Sequence, residues 1–383
     1  MNPALNQIAI SGIRRFNDAV NGIPDMVRLT LGEPDFNTPE HIKLAAIEAI
    51  QADFSHYTAN AGDPELRAAV AATWQSKYNL TYDPADEILV TVGATEAIAI
   101  ALQGLCAPGD AVLVPAPVYP GYIPLLTLHQ VTPIIIDTRA NDFSLTPAMI
   151  DQAIAAHPEA HITGIILNYP NNPTGITYRE EALRLLASAC ARHDLFILAD
   201  EIYAELTYGQ AHVSIARFAR DRTVIISGLS KSHAMTGWRI GFLLAPAPIT
   251  QALKKIHQYT VTAATTIAQR AGIEALVNGA DDGAKMRVIY QQRRDFLLKA
   301  LAEIGFSAIA PEGAFYLFAK LPARFAADSA AFCTDLAHAD HLALIPGSAF
   351  GQAGEGYVRL SYAASDAQLH AAITRLRHYV ATH

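Results

Sequence analysis

Residues 227–239 read SGLSKSHAMTGWR. Lys231 stands between two serines, just after the apolar run Val224-Ile225-Ile226, and Arg239 follows eight positions later. A lysine on a surface helix needs no such surroundings. One that ends a buried strand can be kept neutral and form a covalent bond with a carbonyl compound. Arg239 offers a planar, permanently charged fork suited to phosphate or carboxylate.

Three other stretches carry chemistry of the same kind. ILVTV runs into Gly93-Ala94-Thr95 and then an apolar helix. Free amides at a helix N-terminus beside a threonine hydroxyl suit a phosphate, although Thr95 could merely cap its helix. LFILAD ends at Asp200, followed by Glu201-Ile202-Tyr203. A carboxylate that closes a buried strand must be paired, because isolated burial is costly. It either caps the next helix or holds a proton on a ring nitrogen. NYPNNPTG, residues 168–175, is rich in turn formers and would pass for a plain loop, but Asn172 brings an amide to the same edge. Taken singly, Lys231 and Arg239 would most often be solvated surface groups. Together these residues describe a site for a charged aromatic cofactor.

The elements that must position them are short apolar runs, rich in β-branched residues, alternating with helical patterns. The runs are Ile88–Val92, Ala111–Pro115, Pro133–Asp137, Thr163–Leu167, Leu195–Ala199, Thr223–Ser227 and Ile240–Leu244. Strands this apolar are covered on both faces, so the expected fold is α/β, with a mostly parallel seven-stranded sheet between helices. Ligands in such sheets bind beyond the carboxyl ends of the strands. The last hundred residues differ. Gly313–Leu321 and Gly356–Ala363 read as strands flanked by helices, and Ser365 to Gln368 has the capping-box spacing. Leu369, Ile373, Leu376 and Val380 then share one face. A smaller α/β domain of residues 1–42 and 285–383 is expected beside a large domain of residues 43–284.

Composition narrows the function. The 383 residues are half apolar and 17% charged, enough for a large core. A formal charge of -8 without a basic block argues against nucleic acid and anionic membranes as partners. Three scattered cysteines without a C-x-x-C pair fit reduced thiols in a cytoplasmic protein. The start MNPALNQIAISGIRRF lacks an unbroken apolar core, and the run from Ala97 to Cys106 is too short to span a bilayer.

The pattern resembles the class I aminotransferases of the pyridoxal phosphate-dependent type I fold, closest to the bacterial aromatic amino acid aminotransferases and next to the N-acetyl-diaminopimelate aminotransferases. The resemblance runs from LGEPDFNTP (Leu31–Pro39) to YVRLSYA (Tyr357–Ala363), and NNPTG followed by SKSHAMTGWRIG carries it most specifically. It implies pyridoxal 5'-phosphate, held by Lys231 as a Schiff base and by Arg239 through the phosphate. Gly93, Ala94, Thr95 and Ser230 would complete the phosphate cup. Asp200 would keep the ring nitrogen protonated, Asn172 and Tyr203 would donate to the ring oxygen, and Tyr119 would stack on the ring. Arg359, helped by the Gly32 amide and Asn172, would clamp the substrate carboxylate. Tyr57 would reach the phosphate of a neighbouring subunit in a homodimer. Many relatives carry a serine three places before the lysine, where Gly228 stands here, and Ser227 or Ser230 would compensate.

In aspartate-specific relatives a partner subunit supplies an arginine to the substrate's side-chain carboxylate. The corresponding segment here, KIHQYTVTAATT (Lys254–Thr265), offers Tyr259, Thr260 and Val261 instead. With Ile13 and Phe16 as apolar contacts and Arg14 or Arg15 for a carboxylate, aromatic donors and 2-oxoglutarate are expected. The alternatives are an N-acetyl-diaminopimelate or aspartate aminotransferase and a β-lyase on the same fold. A remoter one is a serine hydrolase using Ser230, since Gly228-Leu-Ser230-Lys-Ser232 approaches a nucleophile elbow. His338 and His341 read as a solvated helix face, with no third metal ligand nearby.

Overall fold

The computed structural model describes residues 1, 3–325 and 328–383. Its centre is a seven-stranded sheet in the spatial order Ile88–Val92, Ile240–Leu244, Thr223–Gly228, Phe196–Asp200, Ile162–Asn168, Ala111–Ala116, Thr132–Asp137. Ile240–Leu244 is antiparallel to both its neighbours, and the other pairings are parallel. Every residue of Thr223–Gly228 is buried, as expected of a central strand covered on both faces. The edge strand Thr132–Asp137 instead leaves Ile135 48% exposed, because no described residue covers its outer face there.

This topology gathers the chemistry. Parallel strands all deliver their carboxyl ends to one edge, so Gly93, Asn168, Asp200 and the turn bearing Lys231 converge. Register fixes the neighbours: Asn168 lies opposite Asp200, and Asp200 opposite Ile226. The single antiparallel strand begins where the others end, with Ile240 opposite Val92 and Gly241 opposite Gly228. Arg239, the residue before it, therefore arrives at the same edge.

A second, antiparallel sheet has the order Ile345–Pro346, Tyr357–Ser361, Tyr316–Lys320, Ser307–Ala308. It shares one core with the final helix, Asp366–Thr382, through Leu369, Ile373, Leu376 and Val380. Burying each such side chain stabilises by about 1.5–3 kcal/mol. Ser365 and Gln368 form the full capping box at the start of that helix. Phe16, Val20 and Leu29 from the N-terminal segment enter the same core. Three helices, Glu40–Gln51, Thr266–Val277 and Asp282–Ile304, are tied by His41, whose ring nitrogens lie 2.8 Å from Glu274 and 2.8 Å from Asp282. No helix among the described residues is long and apolar enough to cross a membrane.

Candidate active site

At the carboxyl edge of the large sheet lies a cavity of ≈ 480 Å³. It is lined by Ala94, Thr95, Tyr119, Asn172, Asp200, Tyr203, Ser230, Lys231, Arg239, Gly32 and Arg359, residues scattered over more than 300 positions of the chain.

One end is built for an anion. Gly93 opens the helix Gly93–Leu105 at φ +76, and a Cβ there would sit 2.4 Å from Nη2 of Arg239. Gly241 is equally constrained, for a Cβ would lie 2.5 Å from the Ala94 nitrogen. Two glycines thus let a guanidinium and a helix N-terminus share one cradle, which side chains would fill. Arg239 donates to the Thr236 carbonyl at 2.7 Å and has no carboxylate partner among the described residues. Ser230, buried, lines the same cavity.

The floor holds Asp200, 4% exposed. Its Oδ2 lies 2.5 Å from the Tyr122 hydroxyl, and its Oδ1 accepts from the Ile202 amide at 3.2 Å. Burial pushes the carboxyl up to about 6, while the Tyr122 hydrogen bond pulls it back. Asn168 donates to the Asp200 carbonyl at 3.1 Å and accepts from the Asn172 amide at 2.9 Å. Those bonds tie the NNPTG turn to the strand that ends in the carboxylate.

Lys231 reaches across to the N-terminal segment, donating to the Gly32 carbonyl at 2.6 Å. Its side chain keeps contact with the open cavity, yet protein crowds the amine. That desolvation lowers it from 10.5 to about 8; Arg239 and Arg359 push the same way, against Glu33 and Asp200. The amine is therefore a usable base and nucleophile near neutral pH.

Arg359 is 1% exposed. It donates to Asn172 Oδ1 at 3.1 Å and to the Thr30 carbonyl at 2.7 Å, and its Cζ lies 4.4 Å from the Tyr316 ring centre. Nε has no partner, and no carboxylate among the described residues pairs with the charge. A buried cation left uncompensated by protein is a receptor for a carboxylate from outside.

One expectation, Phe16 as a substrate contact, is corrected. Phe16 faces the core of the second sheet, 8% exposed, and Ile13 one helical turn earlier takes the place at the cavity, with exposed Arg14 beside it. Ile13 and Phe16 share one helix face packed on that core, and only Ile13, nearer the helix start, also borders the cavity. Arg15 lies outside the cavity lining. Tyr203 bonds the Tyr316 hydroxyl at 2.8 Å, and Gly32 offers its carbonyl to Lys231. Tyr57 and Tyr259, 86% and 88% exposed, lie on the outer surface of their own chain. The buried face of the helix Ala247–Thr260 is Thr250, Leu253 and His257, which turns Tyr259 outward. The serine-hydrolase reading fails, for no histidine among the described residues bonds Ser230.

Sequence reasoning missed Tyr122, Asn168 and Tyr316. Tyr122 stood in PVYPGY beside Tyr119, and Asn168 closes its strand as Asp200 does. Tyr316 carried only the alternation of GAFYLFAKL.

Residues 24–376 match the family described as aminotransferase class I and II. The chain is a class I and II aminotransferase. It is 44% identical over 380 residues to the probable N-acetyl-LL-diaminopimelate aminotransferase of Bacillus subtilis (strain 168), covering 99% of this chain and 95% of that one. It is 36% identical to aromatic-amino-acid aminotransferase 2 of Thermococcus litoralis, over 97% of this chain and 96% of the relative. The structure of the aspartate aminotransferase from Thermus thermophilus with maleate superposes with a TM-score of 0.93 at 34% identity, covering 99% of each chain.

Aminotransferases of this class depend on pyridoxal phosphate, and the donor set fits that group. A glycine-lined cationic cradle suits its phosphate, a buried carboxylate its ring nitrogen and a neutral-prone lysine its aldehyde. The residues present thus fit the phosphate, ring nitrogen and aldehyde of that cofactor.

Proposed function

We propose that this aminotransferase moves the amino group of aromatic L-amino acids to 2-oxoglutarate, yielding aromatic 2-oxo acids and glutamate. The observation that carries the reading is the substrate side of the cavity. There Ile13 and Leu31 form an apolar wall, and Arg14 is a cation without an ion-pair partner among the described residues. Burying a phenyl or indole ring against that wall stabilises by about 1.5–3 kcal/mol. Arg14 can take the distal carboxylate of the acceptor.

In this reading Arg239, the amides of Ala94 and Thr95, and the hydroxyls of Thr95 and Ser230 hold the cofactor phosphate. Asp200 pairs with the ring nitrogen, Tyr203 and Asn172 serve the ring oxygen, and Tyr119 covers the ring. Bound pyridoxal phosphate supplies a carbonyl for the amine and an electron sink for the substrate's Cα carbanion. Arg359 orients the α-carboxylate, with Gly32 and Asn172 beside it. With its amine free and neutral, Lys231 would remove the Cα proton as general base. Tyr57 and Tyr259, idle on their own surface, serve the site of a second copy, so the working unit is a homodimer. The division into residues 43–284 and residues 1–42 with 285–383 belongs to the same proposal. So does a cytoplasmic location, supported by three buried, unpaired cysteines.

A second reading, transamination of N-acetyl-diaminopimelate, is favoured by the Bacillus subtilis relative, and Arg14 would equally receive that donor's distal carboxylate. Steady-state kcat/KM with 2-oxoglutarate for phenylalanine, tyrosine, tryptophan, aspartate and N-acetyl-LL-diaminopimelate decides. The aromatic donors should lead. Should aspartate or the acylated diamine exceed all three by about tenfold, the substrate assignment falls and the family does not.

A further inference from the structure

Tyr122 touches none of the cavity, yet it makes the shortest contact to the carboxylate on the cavity floor. We infer that Tyr122 is a positioning residue for transamination, its hydroxyl holding Asp200 ionised and aimed at the cofactor's ring nitrogen. The inference rests on the assignment of Asp200 to that nitrogen in the proposed function.

The geometry is specific. Tyr122 is fully buried at the start of the helix Tyr122–Leu128, and its Oη lies 2.5 Å from Oδ2 of Asp200. The other carboxylate oxygen is held by the Ile202 amide. The two contacts together fix the plane of a group that a lone bond would leave free to rotate. Tyr122 also meets Tyr119 edge-on, with ring centres 5.4 Å apart and an interplanar angle of 80°. One residue therefore supports both the carboxylate and the aromatic ring proposed to cover the cofactor.

The protonation states agree with a donor role. Burial, with the charge of Asp200, pushes the Tyr122 phenol well above its usual range, so it keeps the proton that it donates to Asp200. The charged groups around Asp200 oppose one another. Glu201, next in the chain, raises its pKa and Lys231 lowers it. Glu201 is itself occupied by Tyr169, His212 and Ser214. Tyr119 and Tyr203 remain neutral phenols, raised by burial. Without the Tyr122 hydroxyl, desolvation would favour the neutral carboxyl, and the proton shared by carboxyl and ring nitrogen would settle on Asp200. A ring nitrogen without its proton is a poorer electron sink.

The test is Tyr122→Phe, which removes one oxygen from a packed site, loaded with pyridoxal phosphate carrying nitrogen-15 in the ring. Asp200→Asn is the control. In Tyr122→Phe the nitrogen-15 resonance at neutral pH should move toward the unprotonated position. Turnover should fall roughly 10- to 100-fold, with KM for the amino donor changed less than about threefold. A residue that only packs the core would lower the unfolding temperature and leave the resonance in place. An unmoved resonance in Tyr122→Phe, beside a large shift in Asp200→Asn, overturns the role of Tyr122 alone. An unmoved resonance in both variants overturns the assignment of Asp200, and the inference with it.

Discussion

Lys231 gathers in one side chain the two demands of this chemistry, nucleophilicity and basicity, and the cavity meets both by desolvation. Moved to about 8, the amine gains its neutral, reactive form as pH rises through that value. Capture of pyridoxal phosphate by the apoenzyme should therefore quicken about tenfold between roughly pH 7 and 9 and then level off. The growth of yellow absorbance after mixing measures it. A rate still climbing tenfold per unit above about pH 9 would indicate an ordinary lysine. Lys231→Ala should keep cofactor affinity through Arg239 and the helix end, while transaminating several orders of magnitude more slowly. Near-normal turnover in that variant would sink the assignment. Lys231, Asp200 and Arg239 were legible in the sequence because each stands near the end or the start of an apolar run, where a polar group is conspicuous, and Arg359 was reached only through the resemblance. Tyr122 and Tyr316 were not, since a buried tyrosine in an apolar stretch looks like core until its hydroxyl finds a partner.

At the scale of elements, one antiparallel strand does what a fully parallel sheet could not. It starts at the functional edge and so brings Arg239 against the helix end at Gly93. The cost is crowding where it meets Thr223–Gly228. A Cβ on Gly228 would lie 2.7 Å from the Ile240 carbonyl and 3.0 Å from the Gly241 Cα. The serine found at this position in many relatives therefore has no room here without a backbone shift, and Ser230 is the hydroxyl that remains at the cavity. Gly228→Ser should destabilise by about 1–3 kcal/mol and weaken cofactor binding. Urea midpoints and a cofactor titration check both effects. Tighter binding at an unchanged midpoint would show that the strand pair yields more easily than its packing implies. The seven strand runs were readable to within about a residue at their ends, because burial on both faces leaves little but apolar side chains. The small sheet's strands came out shorter than their apolar stretches, since Tyr316–Lys320 and Tyr357–Ser361 pair with each other over those residues only.

For the whole molecule, the site lies between two sheets with separate cores, and its two clamps belong to different ones. Arg239 flanks the large sheet, and Arg359 lies on the small one. The proposed dimer rests on Tyr57 and Tyr259, large aromatic side chains left almost wholly exposed. Mixing an inactive Lys231→Ala enzyme with an inactive Tyr57→Ala enzyme should restore activity through hybrid sites, each built from the intact halves. Full activity from a dilute species shown to be monomeric by light scattering would refute the shared-site dimer.

The sequence by itself determined the alternation of strands and helices, the residues at the strand ends, the capping box at Ser365 and the family whose cofactor those residues suit. These are local properties, written in burial periodicity and in polar groups too costly to leave unpaired. Only the tertiary structure decided which face of the helix Gly12–Ala19 meets the cavity, placing Ile13 and Arg14 there and sending Phe16 into the core. It alone joined Tyr122 to Asp200 across 78 positions and left Arg359 buried without a counter-ion. Such facts depend on how separate elements cross. A residue's own neighbours in the chain report its burial but not the atom that burial will set against it.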